Sequence, residues 1–230
     1  KALSTLSITA NGKTSTKLNF NNHSIGTQEA YVEIKDPIIP FDNKLYFNFD
    51  VKASNQVLCL YEDYENKSLY TLFQDDIFEY QSNKVSELDF SKFNNQNLII
   101  LDGIIHPTSG LINELYKYTK NGGNLLIIPS DNIELETYKN LALKLNIPEY
   151  IKFNTVDLKV DKLNLNHSIF NDVFEQHSKD TNLPNVTQYF SLNKMHFNSE
   201  ELIMSLNTKD VFISSYMNNL GLIYVLTSPL

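Results

Sequence analysis

Residues 98–132 read LIILDGIIHPTSGLINELYKYTKNGGNLLIIPSDN, and this run decides the fold class. It opens on Leu98, Ile99, Ile100 and Leu101, four apolar residues in a row. A strand with one face in water would alternate, so this one is expected to be buried on both faces. Leu111, Ile112, Leu115, Tyr116 and Thr119 then recur at the spacing that lines one face of a helix over 109–120, with Ser109 as its N-cap. Asn121-Gly122-Gly123 ends that helix, because glycine accepts the left-handed backbone of a C-cap. A second apolar run, 125–128, follows at once. Strand, helix and strand joined this tightly form a parallel βαβ unit, since parallel neighbours need a crossover connection.

The same alternation extends to both sides. Upstream lie an apolar strand at 57–61, a helix starting near Asn66 that carries Leu69, Leu72 and Phe73, and a short strand at 78–81. Downstream a helix at 134–145 stops before Pro148. Short apolar strands alternating with helices imply a flavodoxin-like α/β domain of three layers, a mostly parallel sheet between helices. From 157 to 185 the pattern is irregular. Three β-like runs at 201–206, 210–216 and 222–227 then predict an antiparallel extension of the sheet.

Residues 1–54 read differently. Asn11-Gly12 sits in an alternating run over 6–20 and predicts a hairpin, because that dipeptide supplies two positive-φ positions. Strands at 30–34 and 45–51 flank DPIIPFDN, where Pro37 and Pro40 cannot donate to a ladder. About four strands are too few for an immunoglobulin-like β-sandwich, which needs about seven. Residues 1–54 are therefore read as the C-terminal part of such a sandwich, and 55–230 as an α/β domain cut short, with the boundary near residue 55.

Composition removes several functions. A net charge of −8 and a complete lack of arginine disfavour nucleic acid, which is held by basic side chains and by bidentate arginine in particular. Cys59, the single cysteine, lies in the apolar run VLCLY, so no disulfide framework or thiolate metal cluster is expected and the thiol reads as a core residue. No apolar stretch reaches the ~20 residues of a membrane helix, and the opening Lys1-Ala2-Leu3-Ser4 has neither an initiator Met nor a signal core. Any membrane anchor is expected outside these residues.

Taken together, YVEIKDPIIPFDNKLYFNFDV (31–51), VLCLYE (57–62), the 98–132 run, HSIFNDVFE (167–175) and GLIYVLTSPL (221–230) resemble the soluble region of Bacteroidetes BatA-domain membrane proteins, named for an association with aerotolerance. The resemblance implies a pair of membrane helices elsewhere, an immunoglobulin-like segment, and a domain similar to the class I glutamine amidotransferase-like fold. It also implies a membrane-anchored protein whose soluble region is periplasmic and whose partners are other membrane or envelope proteins.

That fold directs attention to a nucleophile elbow, a Cys or Ser on a sharp strand-to-helix turn flanked by glycines. The matching strand end here is Ile127-Ile128-Pro129-Ser130-Asp131-Asn132. No glycine flanks Ser130, and Pro129 removes a backbone donor where an oxyanion hole needs one, so Ser130 is expected to be a turn residue. Histidines 23, 106, 167, 177 and 196 show no metal-ligand spacing; Asp172 and Glu175 lie between His167 and His177 in a segment read as solvated loop. Asp63, Asp102 and Asp131 fall at the carboxyl ends of strands, the edge at which open α/β sheets bind ligands. With Ser130 they are the ligand-binding candidates, suited to a cation or a polar molecule. No glycine-rich phosphate cradle follows any strand, and no cofactor is expected. The leading expectation is a non-catalytic interaction region. The alternatives are a hydrolase or amidotransferase-like enzyme working through Asp63, Asp102, Ser130 and Asp131, and a carbohydrate-binding module using exposed members of the 13 Tyr and 14 Phe.

Overall fold

A computed structural model describes residues 2–9, 12–18, 20, 24–34, 43–51, 54–170, 183–193 and 200–230. Its contacts divide the chain into two compact units, Lys1–Ser54 and Asn55–Leu230.

In the first unit β1 (Gly26–Glu33) pairs antiparallel with β2 (Lys44–Val51), with Gly26 opposite Val51 and Glu33 opposite Lys44. Across the ribbon Tyr31 meets Tyr46 at 5.7 Å between centroids, and along β2 Phe47 stacks on Phe49 at 6.1 Å. The hairpin expected over 6–20 forms no ladder among the described residues. What stands there is a turn contact, Gly12 N donating to Thr9 O at 2.9 Å, and a meeting of the Ser4 and Thr16 hydroxyls at 3.2 Å.

The second unit is a mixed nine-stranded sheet with flanking helices. In chain order come β3 (Asn55–Tyr61), α1 (Lys67–Leu72), β4 (Phe78–Lys84), β5 (Leu98–Ile104), α2 (Ser109–Lys120), β6 (Asn124–Pro129), α3 (Leu135–Leu145), β7 (Tyr150–Leu163), β8 (Asn185–Leu192), β9 (Glu200–Leu206), β10 (Val211–Asn218) and β11 (Gly221–Leu226). The sheet order is β4-β3-β5-β6-β11-β10-β9-β7-β8. Strands β4, β3, β5, β6 and β11 are mutually parallel, and the ladders from β11 outward to β8 are antiparallel.

Alternation within the apolar runs divides the core. Leu58, Leu60, Ile99, Leu101, Leu125, Ile127, Ile223 and Val225 face α2 and α3, while Val57, Cys59, Ile100 and Ile128 face the side that α1 covers with Leu69. Helix α2 is capped by Thr108, whose side chain accepts from Leu111 N at 3.2 Å, and not by Ser109. Its inward face also holds Tyr118, buried with its hydroxyl reaching Asn124 O at 3.1 Å, while the expected Tyr116 packs half-buried against the same core. The segment read as irregular from 157 begins inside β7, a 14-residue strand that pairs first with β8 and then with β9. Phe190 N donates to Thr227 O at 2.8 Å, so β8 returns to the carboxyl end of β11.

Candidate functional site

A cavity of about 700 Å³ opens at the carboxyl edge of the parallel strands, lined from the end of β3 (Glu62, Asp63, Glu65, Asn66), of β5 (Asp102, Gly103) and of β6 (Ser130, Asp131). Chain connections leave β3 in one direction and reach β5 on its other side, so the crevice lies where strand order reverses. Ligands of open α/β sheets collect at that position, where two crossovers diverge and leave room. All four residues singled out from the sequence, Asp63, Asp102, Ser130 and Asp131, line this one cavity.

Asp102 is 7% exposed at the end of β5. Burial pushes its carboxyl above the ordinary carboxylate value, opposed by a hydrogen bond with the Asn66 side chain. Local structure sets the direction of that bond. Asn66 caps α1 with its side-chain oxygen, which accepts from Ser68 N at 2.9 Å, so the amide nitrogen is the group left to donate to Asp102. Gly103 follows with φ +63, and the β5–β6 register shifts between Asp102 and Ile104. This bulge shifts the register by one residue directly after the buried acid, and the ladder resumes with Ile104 opposite Pro129.

Glu62 and Glu65 are held in place from below. Glu62 Oε2 accepts from Ile105 N at 2.5 Å and His106 N at 3.1 Å, and Glu65 accepts from the Ser82 hydroxyl. The Ser130 hydroxyl lies 2.5 Å from Asn132 Oδ1 and 3.4 Å from Asp131 Oδ1. Its single proton is directed at an amide oxygen that cannot act as a base.

Of the five histidines, His23, His177 and His196 lie outside the described residues, as do Asp172 and Glu175. His106 contacts Glu134 at 3.2 Å. His167, read from sequence as part of a solvated loop, is 3% exposed. Its Nδ1 accepts from Ile169 N at 3.1 Å, so Nε2 carries the proton and donates toward Ser215 Oγ at 3.3 Å and Glu201 Oε2 at 3.5 Å. A serine–histidine–carboxylate set needs the acid on one ring nitrogen and a free lone pair toward the serine on the other. Here acid and serine share one nitrogen, which makes this a structural cluster of buried His167 and Ser215 with the exposed Glu201.

Sequence reasoning missed Glu62, Glu65, Asn132, Gln188 and the rim residue Tyr64, which is 88% exposed. The first two carried a readable signal, since an acid one to four residues past a parallel strand must lie near its carboxyl edge. Gln188 had none, because it arrives through the return of β8. Among the described residues no group of three or more His, Cys, Asp or Glu is arranged to hold a metal ion, and no helix is long and apolar enough to cross a membrane.

No protein-family model matches the chain, and no curated protein matches it. Solved structures do. A cytoplasmic protein from Salmonella typhimurium LT2 shares 12% identity at a TM-score of 0.59, the match covering 76% of this chain and 88% of that one. A protein described as ThuA-like from Bacteroides uniformis shares 14% at 0.58, covering 78% and 84%. A catalytic mutant of a GH42 β-galactosidase from G. stearothermophilus shares 12% at 0.53, covering 76% of this chain and 28% of the enzyme. At these identities the likeness is one of fold.

Proposed function

We propose that the chain carries a non-catalytic binding module of flavodoxin-like, amidotransferase-like type, whose switch-point cavity takes a neutral, hydroxyl-rich ligand of the carbohydrate class. The observation that carries this reading is the lining itself: carboxylates, the amides of Asn66, Asn132 and Gln188, and the Ser130 hydroxyl surround one cavity with exposed Tyr64 among its lining residues. Fixed acceptors and donors match paired hydroxyls, and a phenol ring suits the apolar face of a sugar. The excess of carboxylates disfavours anionic ligands. The parallel strands, numbered by their order in the chain, run 2-1-3-4-5 across the sheet, the order of flavodoxin-like domains, which bind at this crevice. A structural segment of this kind inside a β-galactosidase favours a carbohydrate setting over a bare protein-contact surface. From the sequence resemblance we infer that the module lies in the periplasmic part of a membrane-anchored BatA-type protein with envelope partners.

Calorimetric titration with a panel of neutral mono- and oligosaccharides tests the reading. At least one is expected to bind, and Asp102→Asn is expected to weaken it about tenfold, the worth of a hydrogen bond to a charged group. Failure of every saccharide, or binding indifferent to Asp102, overturns it. The rival reading, a hydrolase working through Asp63, Asp102, Ser130 and Asp131, draws support from a protonation-prone acid beside exposed carboxylates. It requires product formation that Asp102→Asn abolishes.

A further inference from the structure

Beside the cavity is an oxyanion site that is already filled. Gly103 turns the backbone at φ +63, and the two residues that follow Ile104 direct successive N–H groups at one atom, Glu62 Oε2, at 2.5 and 3.1 Å. Paired backbone donors of this kind form a nest, an arrangement that cradles a carboxylate or phosphate oxygen and carries fixed positive partial charge. Glu62 lies 43 residues before Ile105 and directly after β3, so the contact is tertiary and bridges the two strand ends between which the order reverses. Its carboxylate stands where an oxygen of an anionic ligand would sit.

We propose that the Ile105–His106 nest is an oxyanion subsite of the cavity and that Glu62 is its intramolecular occupant, the residue that makes the site reject carboxylated and phosphorylated ligands. The inference rests on the reading of the cavity as a binding site, and it deepens that reading by naming what decides between neutral and anionic ligands. Occupancy and charge act in the same direction. An incoming anion meets a nest whose donors are spent, and it also meets Asp63, Glu65, Asp102 and Asp131, with Lys67 as the one cation among the described lining residues. Removing the Glu62 side chain frees the donors and deletes one negative charge. Changing it to glutamine deletes the same charge but leaves an oxygen in reach of both N–H groups.

The two effects separate in an NMR titration of the full chain with inorganic phosphate, followed at the amides of Ile105 and His106. In the wild type these amides should resonate at low field, as donors to a carboxylate do, and stay unmoved by phosphate. In Glu62→Ala they should shift saturably, with an apparent affinity at least tenfold above any wild-type response. Glu62→Gln should behave like the wild type, because its nest is still occupied. Should Glu62→Gln admit phosphate as well as Glu62→Ala does, charge alone is responsible and the occupant role is lost. Should Glu62→Ala fold and leave both amides unmoved, there is no subsite. The wild-type spectrum guards against a variant that does not fold: amides of Ile105 and His106 at ordinary field, insensitive to acid titration of a carboxylate, also sink the proposal. Saccharide titration of the same samples keeps the two readings apart, since phosphate can enter Glu62→Ala whether or not any sugar binds.

Discussion

Asp102 shows how one buried group ties stability to binding. Because burial raises its carboxyl, the fold holds that proton more tightly than the unfolded chain does. Its contribution is therefore fully favourable below the unfolded value of about 3.9 and is lost as pH rises through the higher folded value. Asp102→Asn is expected to raise the unfolding midpoint at pH 7 and to leave it nearly unchanged near pH 3. Thermal scans at the two pH values decide this, and equal shifts at both would count against it. Ser130→Ala should cost the bound ligand no more than one neutral hydrogen bond, about fivefold in affinity, since the hydroxyl proton is directed at Asn132. A loss of several hundredfold would restore the nucleophile. Cys59 is fully buried, and that burial, partly offset by the Tyr80 hydroxyl, pushes its thiol up to about 12. The Tyr80 contact falls outside regular hydrogen-bond geometry, as that hydroxyl is buried without a partner. A raised thiol contributes stability below about pH 9, and that contribution disappears as pH climbs toward 12; the raised Tyr138 and Tyr150 contribute likewise below about pH 10 and lose it only at still higher pH. Native Cys59 should accordingly resist thiol reagents at pH 8, and fast stoichiometric labelling would contradict its placement. The site was legible to the extent that strand ends are: Asp63, Asp102, Ser130 and Asp131 each follow an apolar run, and parallel topology gathers them. The fixing of Asp102 by Asn66, and of Glu62 by a backbone nest, depends on side-chain directions that spacing does not encode.

At the level of elements, caps and glycines carry the clearest tests. Thr108→Ala removes the side-chain acceptor for Leu111 N and should cost about 1 kcal/mol, whereas Ser109→Ala should be close to neutral. Gly103→Ala forces an L side chain into the left-handed region and should cost about 1–2 kcal/mol although no atom lies within 4 Å of the added Cβ, so any loss measured by denaturant unfolding reports backbone strain alone. The helix and strand of 98–132 could be read in advance because both periods are long and uninterrupted. Ser109 and Thr108 could not be told apart, since two adjacent hydroxyls offer the same cap. The strand β7 escaped notice for a different reason. It changes partner partway and slips register between Thr155 and Leu158, which breaks the two-residue alternation that identifies a strand.

For the molecule as a whole, the two compact units predict unequal independence. A fragment of residues 55–230 should unfold cooperatively with a midpoint within a few degrees of the full chain, while residues 1–54 alone should give no cooperative transition, because one two-stranded ribbon buries too little. Circular dichroism melts of both fragments are the check. Within the larger unit, β11 occupies the middle of the sheet, parallel to β6 on one side and antiparallel to β10 on the other. Gly221 begins it with an ideal Cβ position only 2.2 Å from Gly123 O and 2.4 Å from Thr119 O, so the strand enters a slot too narrow for any side chain. A ribosome delivers this strand after the other eight of its sheet, which means that the parallel half must wait on the tunnel with an unpaired β6 edge until the keystone arrives. Nascent chains halted before residue 221 should therefore be the ones that chaperones hold and proteases cut.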